Sequence, residues 1–335
     1  MDEVRIIDCV IFNNELNVLE NRLKYLDEFV DEFVVFESDT TFSGTRKPLF
    51  ANGAITELQS LVKSQITIWN PDLREIKANE YKERWPVELE TRKQFIEQLS
   101  KAYPHDRIIF ADVDEIPSRE QVLAIRGLIH EKDFSTYGIN MSQYYKYVNW
   151  RVGDAAEKMN AAKTFIASSP PEPTLLRALN AFNDVSGEGA HLSYLGMNAK
   201  DVSKKFDDFS HSELSGQEHM ELFISWVQNK YGIDHIGRYF FEGNGLLRVL
   251  NASEIPGPSR FFMEMRPELY NNRSLPTHTK RLIASALITL MREETSNFNH
   301  TTHETLLLKV TCNFRVYRSI LIKFIKSLFL VLVKS

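Results

Sequence analysis

A buried strand that ends in acidic residues is predicted for residues 108–117, which read Ile108-Ile109-Phe110-Ala111-Asp112-Val113-Asp114-Glu115-Ile116-Pro117. Ligands of open α/β sheets bind beyond the carboxyl ends of the strands, so acids placed there are candidates for function. If the extended backbone continues past the apolar residues, Asp112 and Asp114 point to the same side, because side chains alternate along a strand. Together they would hold one hard divalent cation.

A cation at these acids would be Mg²⁺ or Mn²⁺. Such ions combine one or two carboxylates with substrate phosphates, and they stabilise charge on a departing diphosphate as Lewis acids. The alternative is a solvated turn that caps a helix after Pro117. The calcium loop of an EF-hand is excluded because its further ligands and glycine do not follow, and a haloacid-type phosphatase would need a threonine soon after the second Asp. The chain also lacks a Walker loop and a dinucleotide fingerprint.

Short apolar runs alternate with helical patterns in the first third of the chain, which is typical of an α/β fold. Apolar residues recur at helical spacing from Leu16 to Leu26 and from Val87 to Ala102. Another helix is expected after Pro117, with Ser118 as its N-cap. We therefore predict a Rossmann-type, mostly parallel sheet flanked by helices. Its strand candidates are Val4–Phe12, Phe33–Phe36, Ile66–Trp69 and Arg107–Ala111.

Composition narrows the class of protein. The 335 residues are 43% hydrophobic, which is enough for a sizeable core. The net charge of -5 and the pI near 6.0 give no attraction for polyanions, so a nucleic-acid partner is not expected. Cys9 and Cys312 are the only cysteines and suggest neither a disulfide framework nor a thiolate metal site. The N-terminal run has no signal-peptide or anchor pattern, so we expect a cytoplasmic enzyme.

Three regions are predicted along the chain: a catalytic domain over 1–260, a helical extension or linker over 261–305, and a basic tail over 306–335. The domain is expected to end at Ile255-Pro256-Gly257-Pro258, after a helix at Gln217–Lys230. On a helical wheel the tail's cations lie mostly apart from its apolar face, which favours association with an anionic membrane surface. Its last apolar stretch is too short and too charged to span a bilayer. The alternative is a helix that packs on the domain.

A second group of polar residues lies at 187–194, at 204–206 and at 209–213. It contains His191, His211, Glu188 and Glu213. A neutral imidazole can complete a metal shell, and a carboxylate near an acceptor hydroxyl can act as a general base. Taken singly, such histidines are more often structural, and sequence spacing does not show that either approaches Asp114.

Short motifs along the chain occur in one characteristic order. They are Phe12-Asn13-Asn14-Glu15-Leu16, Leu19-Glu20-Asn21-Arg22-Leu23, Phe36-Glu37-Ser38, Thr41-Phe42-Ser43-Gly44, Lys47-Pro48-Leu49, residues 112–117, Asn149-Trp150, Leu176-Arg177, His191-Leu192-Ser193-Tyr194 and His211-Ser212-Glu213. This order resembles family 17 glycosyltransferases, a family of the β-1,4-mannosyl-glycoprotein N-acetylglucosaminyltransferase type. The resemblance implies a GT-A fold, a UDP-GlcNAc donor, a divalent metal, and inversion at the anomeric carbon to give a β-linked product.

The motifs and the resemblance together suggest roles for the site residues. Asp114 would bind the metal, Asp112 the metal or the donor ribose, and His191 would be a further metal ligand. Glu213 is the first candidate for the base that takes the acceptor's proton, and Glu188 is the second. Asn13 and Glu15 are candidates for recognising the nucleotide. Glu37, Thr41 and Lys47 would either bind the donor or order a loop. Arg92 would either reach the diphosphate or lie in solvent. Arg22 is a candidate for a structural ion pair.

Two departures from the family pattern concern the acceptor. Ala190 stands where the family often has Trp, which predicts an altered acceptor pocket. The lack of an N-terminal anchor and the basic tail favour a bacterial or viral surface glycan, lipid-linked or free, assembled at the cytosolic membrane face. The alternatives are a metal-dependent phosphohydrolase or nucleotidyltransferase that uses the same acids, and a non-catalytic sugar-binding protein associated with a membrane.

Overall fold

The computed structural model describes residues 4–43, 45–71, 85–131, 133–152, 159–176, 182–208 and 247–276, with isolated positions at 229–230, 232, 281 and 284. The predicted tail at 306–335 and nearly all of the predicted helix at 217–230 lie outside the described residues. The α-helices are α1 (Leu16–Leu26), α2 (Phe50–Gly53), α3 (Ile55–Ser60), α4 (Trp85–Ala102), α5 (Arg119–His130), α6 (Ala199–Asp208) and α7 (Gly257–Met265). The strands are β1 (Ile6–Phe12), β2 (Glu32–Glu37), β3 (Gln65–Trp69), β4 (Arg107–Asp112), β5 (Glu115–Ile116), β6 (Tyr137–Tyr145), β7 (Trp150–Val152), β8 (Met159–Ile166), β9 (Asp184–Ser193) and β10 (Leu247–Val249).

One sheet joins these strands in the order β10-β7-β6-β8-β4-β1-β2-β3, with β9 paired to both β6 and β5. The four strands predicted from the first third of the chain, β1 to β4, pair in parallel with one another. The second half adds antiparallel neighbours, since β8 runs antiparallel to both β4 and β6. The predicted α/β class is confirmed, since β1 to β4 form a parallel part of the sheet that helices flank.

Helices on both faces explain why the central strands are apolar at nearly every position. Along β1, Ile6 and Val10 pack on the face covered by α1 and α5, whereas Ile7 and Cys9 pack on the face covered by α4. The residues of β2 and β4 divide in the same alternating way. The carboxyl ends of β1, β2 and β4 therefore meet at one edge between two helical layers.

A charged pair interrupts the apolar face beneath α1. Arg22 from α1 makes two bonds to Asp8 of β1, with Nη2 2.7 Å from Oδ1 and Nε 2.8 Å from Oδ2. Both side chains are buried. The guanidinium also donates to the carbonyl oxygen of Glu115 at 2.6 Å and lies 3.4 Å from that of Asp112. The structural ion pair expected for Arg22 is therefore present, and it fixes the turn that follows β4.

This turn corrects the expected geometry of the two acids. β4 ends at Asp112 and the extended backbone does not continue through Asp114. The backbone N–H of Asp112 donates to Oε2 of Glu115 at 2.9 Å, which closes the turn locally. Because the chain turns here, strand alternation no longer applies, and the Asp112 and Asp114 side chains face different partners.

The helix after this turn begins as the sequence predicts. Ser118 caps α5 in a capping box with Gln121, and Val122 and Ile125 are fully buried. β9 crosses close to this N-terminus at Gly189, where a Cβ atom would lie only 2.6 Å from the carbonyl oxygen of Ile116. Only glycine allows this approach, and it positions the rest of β9 beside the acidic turn.

The packed structure continues past the end predicted for the catalytic domain. Residues 255–258 lead into α7, and Phe262 of that helix is fully buried in the main core. Further along, the backbone carbonyl of Asn271 accepts bonds from Asn149 and Trp150. The boundary predicted at residue 260 thus falls inside a packed helix. The prolines at 256 and 258 suggested a chain break, but Pro near the start of a helix is favourable.

Within the described residues, none of the helices is both long enough and apolar enough to span a bilayer.

Replacing Arg22 with Met should lower the free energy of unfolding by about 3–5 kcal/mol, because Asp8 would remain buried without its partner. Urea denaturation followed by circular dichroism measures this. Arg126→Met is the matched control, since Arg126 lies 3.0 Å from Asp31 with side chains 33% and 35% exposed. Losing that exposed pair should cost less than about 1 kcal/mol. Equal losses in the two variants would contradict a structural role for the buried pair.

Candidate functional site

A cleft opens at the carboxyl ends of β1, β2 and β4. Its charged lining consists of three carboxylates and three cations, which are Glu15, Asp112, Asp114, Lys47, Arg92 and Lys205. This is the position at which an open α/β sheet binds ligands. The sequence-predicted residues Asn13 and Thr41 line the same cleft.

Asp112 faces α4. Its Oδ1 lies 2.7 Å from Nη2 of Arg92, and the same guanidinium contacts Oε1 of Glu88 at 3.0 Å. Burial opposes the charge of Arg92, but Asp112 and Glu88 outweigh it and raise its pKa. Of the two alternatives for Arg92, the solvated position is wrong, and Arg92 remains a buried cation at the cleft.

Asp114 lies between His191 and Lys205. Its Oδ1 is 3.7 Å from Nε2 of His191, and its Oδ2 is 3.5 Å from Nζ of Lys205. Burial would raise the pKa of Asp114, but the charges of Lys205 and His191 dominate and hold it well below its usual range. Asp114 is therefore ionised at neutral pH, as a metal ligand must be.

The approach of His191 to Asp114 follows from strand pairing. β5 and β9 pair antiparallel with Glu115 opposite His191, and the backbone N–H of Leu192 donates to the carbonyl of Asp114 at 2.8 Å. Burial lowers the pKa of His191, but Asp114 outweighs this and raises it. Metal binding to this imidazole would therefore displace a proton from some of the molecules.

The ring of His191 is oriented by a chain of polar groups. Its Nε2 lies 3.0 Å from Oγ of Ser193, and Nε2 of Gln143 donates to that hydroxyl at 3.4 Å and to the hydroxyl of Tyr145 at 3.1 Å. Nδ1 of His191 is buried without a hydrogen-bond partner. The imidazole therefore has one nitrogen that the described protein groups do not satisfy.

Three further predicted donor-site residues have structural partners. Glu37 is fully buried and accepts bonds from the backbone N–H groups of residues 50, 51 and 52, which cap α2. It does not line the cleft, so its loop-ordering alternative fits the structure. Lys47 lies 3.5 Å from Glu37 and donates to the carbonyl of Asn13 at 2.8 Å. The hydroxyl of Thr41 accepts from the backbone of Thr45 and closes a turn at the cleft rim.

Glu188 does not reach the cleft. It accepts a hydrogen bond from Ser142 and lies 3.4 Å from Arg151. Alternation along β9 sends Glu188 and Ala190 to the face opposite His191, and Ala190 is buried in the main core. Glu188, the second candidate for the base, thus lies on the strand face away from His191, and Ala190 does not border the cleft. Glu213 and His211 lie outside the described residues.

Lys205 lines the cleft, and no role was predicted for it from the sequence. Its Nζ lies 2.8 Å from Oε1 of Glu15, although the two residues are 190 positions apart. The pair Lys204-Lys205 is visible in the sequence, but no local pattern connects it with the first helix. Only the fold brings these charges together.

Comparisons with known proteins were made for the family, for curated proteins and for solved structures. The family model described as glycosyltransferase family 17 matches residues 1–229. A search among curated proteins gives no match. Among solved structures, one similar chain is the crystal structure of S. aureus TarS 1-349, at 10% identity and a TM-score of 0.34, covering 87% of this chain and 92% of that one. Because the family model spans more than half of the residues, the chain belongs to glycosyltransferase family 17.

Proposed function

We propose that this glycosyltransferase is metal-dependent and inverting, and that it transfers N-acetylglucosamine from UDP-GlcNAc to a glycan acceptor to form a β-linkage. The supporting observation is the cleft, whose lining combines three carboxylates with three cations. Carboxylates suit a divalent cation, and Lys and Arg suit the oxygens of a diphosphate. Family membership supports glycosyl transfer over hydrolysis of a phosphate ester.

Asp114 and His191 fit a divalent cation, Mn²⁺ or Mg²⁺. Asp114 is ionised, and Nε2 of His191 faces its Oδ1 at 3.7 Å. Among the described residues no group of three acidic, histidine or cysteine side chains converges as a complete ligand set. This suits an ion that takes few protein ligands and completes its shell with substrate phosphates. When bound, the cation would supply charge stabilisation to the departing diphosphate.

The cations of the chain would assist in binding the donor. Arg92 is held by Asp112 and Glu88, so its guanidinium is positioned before any ligand arrives. Lys47, which also lines the cleft, is anchored to the backbone of Asn13. In this proposal Asn13 and Glu15 contact the nucleotide, and preorganised cations lower the cost of binding its diphosphate.

Glu213 remains our candidate for the general base. The acceptor hydroxyl oxygen would attack the anomeric carbon while the bond from that carbon to UDP breaks on the opposite face, which inverts the configuration. Glu213 would take the hydroxyl proton. The exclusion of Glu188 from the cleft supports this choice.

Asp114→Asn should lower turnover by roughly 10²–10³-fold, because a neutral amide is a poor ligand for a hard cation that stabilises the leaving group. UDP release from UDP-GlcNAc with Mn²⁺ and a panel of lipid-linked and free glycans measures it. Glu268→Gln is the control, since Glu268 is exposed and pairs with Arg266 away from the cleft lining. If the wild-type protein still turns over in metal-free buffer, the proposed metal dependence is rejected.

Glu213→Gln should slow the chemical step by ~10²–10⁴-fold while leaving UDP affinity nearly unchanged, as expected of a general base. Single-turnover rates and UDP calorimetry separate the two effects. Glu188→Gln is the matched control, because its carboxylate lies on the other face of β9. A large rate loss in the control with none in Glu213→Gln would reverse the assignment.

We further propose that the basic tail holds the enzyme at an anionic membrane, where a lipid-linked or surface glycan would be the acceptor. Each Lys or Arg near such a surface contributes about 1 kcal/mol, and salt weakens this attraction. The full chain should float with anionic vesicles at low salt, and a chain truncated before Leu306 should not. Equal flotation of both chains, or unfolding of the truncated chain, would contradict the proposal.

A further inference from the structure

Lys205 is a buried ammonium at the mouth of the acidic site. Its Nζ lies 2.8 Å from Oε1 of Glu15 and 3.5 Å from Oδ2 of Asp114, and its side chain is 10% exposed. The ammonium also lies 5.1 Å from the ring centroid of Tyr194. Three separate segments of the chain therefore surround one cation.

The segment under this cation has an uncommon backbone. Tyr194 follows β9 with a φ of 56°, a backbone conformation that residues other than glycine rarely adopt. The turn brings its ring beneath Lys205, directly after the residues of β9 that orient His191. Residues held in such conformations cluster at binding sites, where surrounding contacts maintain them. The same strand end thus positions both the imidazole and the ammonium around Asp114.

α6, the helix that contains Lys205, makes a limited apolar contact with its neighbours. Val202 of α6 packs with Tyr194 and Met197 in a small cluster separate from the main core. The ion pairs of Lys205 with Glu15 and Asp114 also connect this helix to the segments that follow β1 and β4. A change in the charge near Asp114 would therefore act on the side chain of Lys205.

Lys205 and a divalent cation compete for Asp114. An ammonium 3.5 Å from Oδ2 already neutralises the carboxylate, and a metal ion coordinated there would lie beside a like charge in a poorly hydrated site, where repulsion is strong. A nucleoside diphosphate relieves this repulsion, because its oxygens can bind the metal and the ammonium together.

We propose that Lys205 couples the metal to the nucleotide: it occupies Asp114 when the metal is absent and transfers to the diphosphate oxygens when metal and nucleotide bind. This inference rests on the proposed metal-dependent use of a nucleotide-sugar. It predicts that the metal alone binds weakly and that nucleotide and metal each strengthen binding of the other.

The test measures binding of Mn²⁺ alone, and of UDP in saturating Mn²⁺, by calorimetry on the full chain. Lys205→Met should bind Mn²⁺ alone about tenfold more tightly and Mn²⁺-dependent UDP about tenfold more weakly, within the range of measured couplings between sites. Mn²⁺ should also raise the melting temperature of Lys205→Met more than that of the wild type, because it replaces the missing cation.

Three further variants keep the result interpretable. Lys205→Arg keeps the charge and should resemble the wild type in binding Mn²⁺ alone. Lys200→Met makes the same change at an exposed position of α6 and should alter neither affinity. If Lys205→Met folds poorly, the double variant Glu15→Gln with Lys205→Met removes one charge of each sign. This double variant should still bind Mn²⁺ alone more tightly than the wild type does.

The outcomes separate the two proposals. In one outcome, the wild type binds UDP in a Mn²⁺-dependent way, but Lys205→Met binds Mn²⁺ alone no more tightly than the wild type does. Lys205 then only anchors Glu15, so the coupling is overturned while the proposed function stands. If the wild type shows no effect of Mn²⁺ on UDP binding, the metal-dependent function fails, and the coupling fails with it.

Discussion

The buried pair between Arg22 and Asp8 is the constraint on which the acidic site depends. It puts a carboxylate and a guanidinium into an otherwise apolar face of the sheet, which is costly unless every donor is used. The guanidinium meets this demand by binding Asp8 and the carbonyl oxygens of the turn after β4. The turn is thereby fixed from inside the core, and Asp112 and Asp114 are presented with little freedom to rearrange.

The electrostatics of the cleft follow from this rigidity. Asp112 is paired with Arg92, and Asp114 and Glu15 share Lys205. The carboxylates are therefore already partnered by basic groups within the protein, as burial demands. A ligand that carries both a cation and an anion can satisfy both sets of groups by exchanging partners. A lone cation or a lone anion would satisfy only one set, so under the proposed function the cleft would favour the combination.

Much of the fold could be predicted because its signals are local. The alternation of apolar runs identified β1 to β4, and Ser118 identified the start of α5. The relation of Asp112 to Asp114 was not predictable, since it depends on carbonyl contacts to Arg22 some 90 residues away. The role of Lys205 was equally hidden, because its contact with Glu15 spans 190 residues. Non-local charge pairs leave no periodic trace in the sequence.

The register of β9 places His191 and Ala190, two neighbours in one sequence motif, on opposite faces of the strand. Gly189 lets the strand approach the carbonyl of Ile116, and pairing with β5 then sets His191 opposite Glu115. Because side chains alternate, His191 faces the acidic turn while Ala190 enters the core. A larger residue at 190 would have to be accommodated by core packing, so its effect on the cleft would be transmitted through the position of β9. The size of the residue at 190 therefore affects the strand that carries His191 before it affects any acceptor.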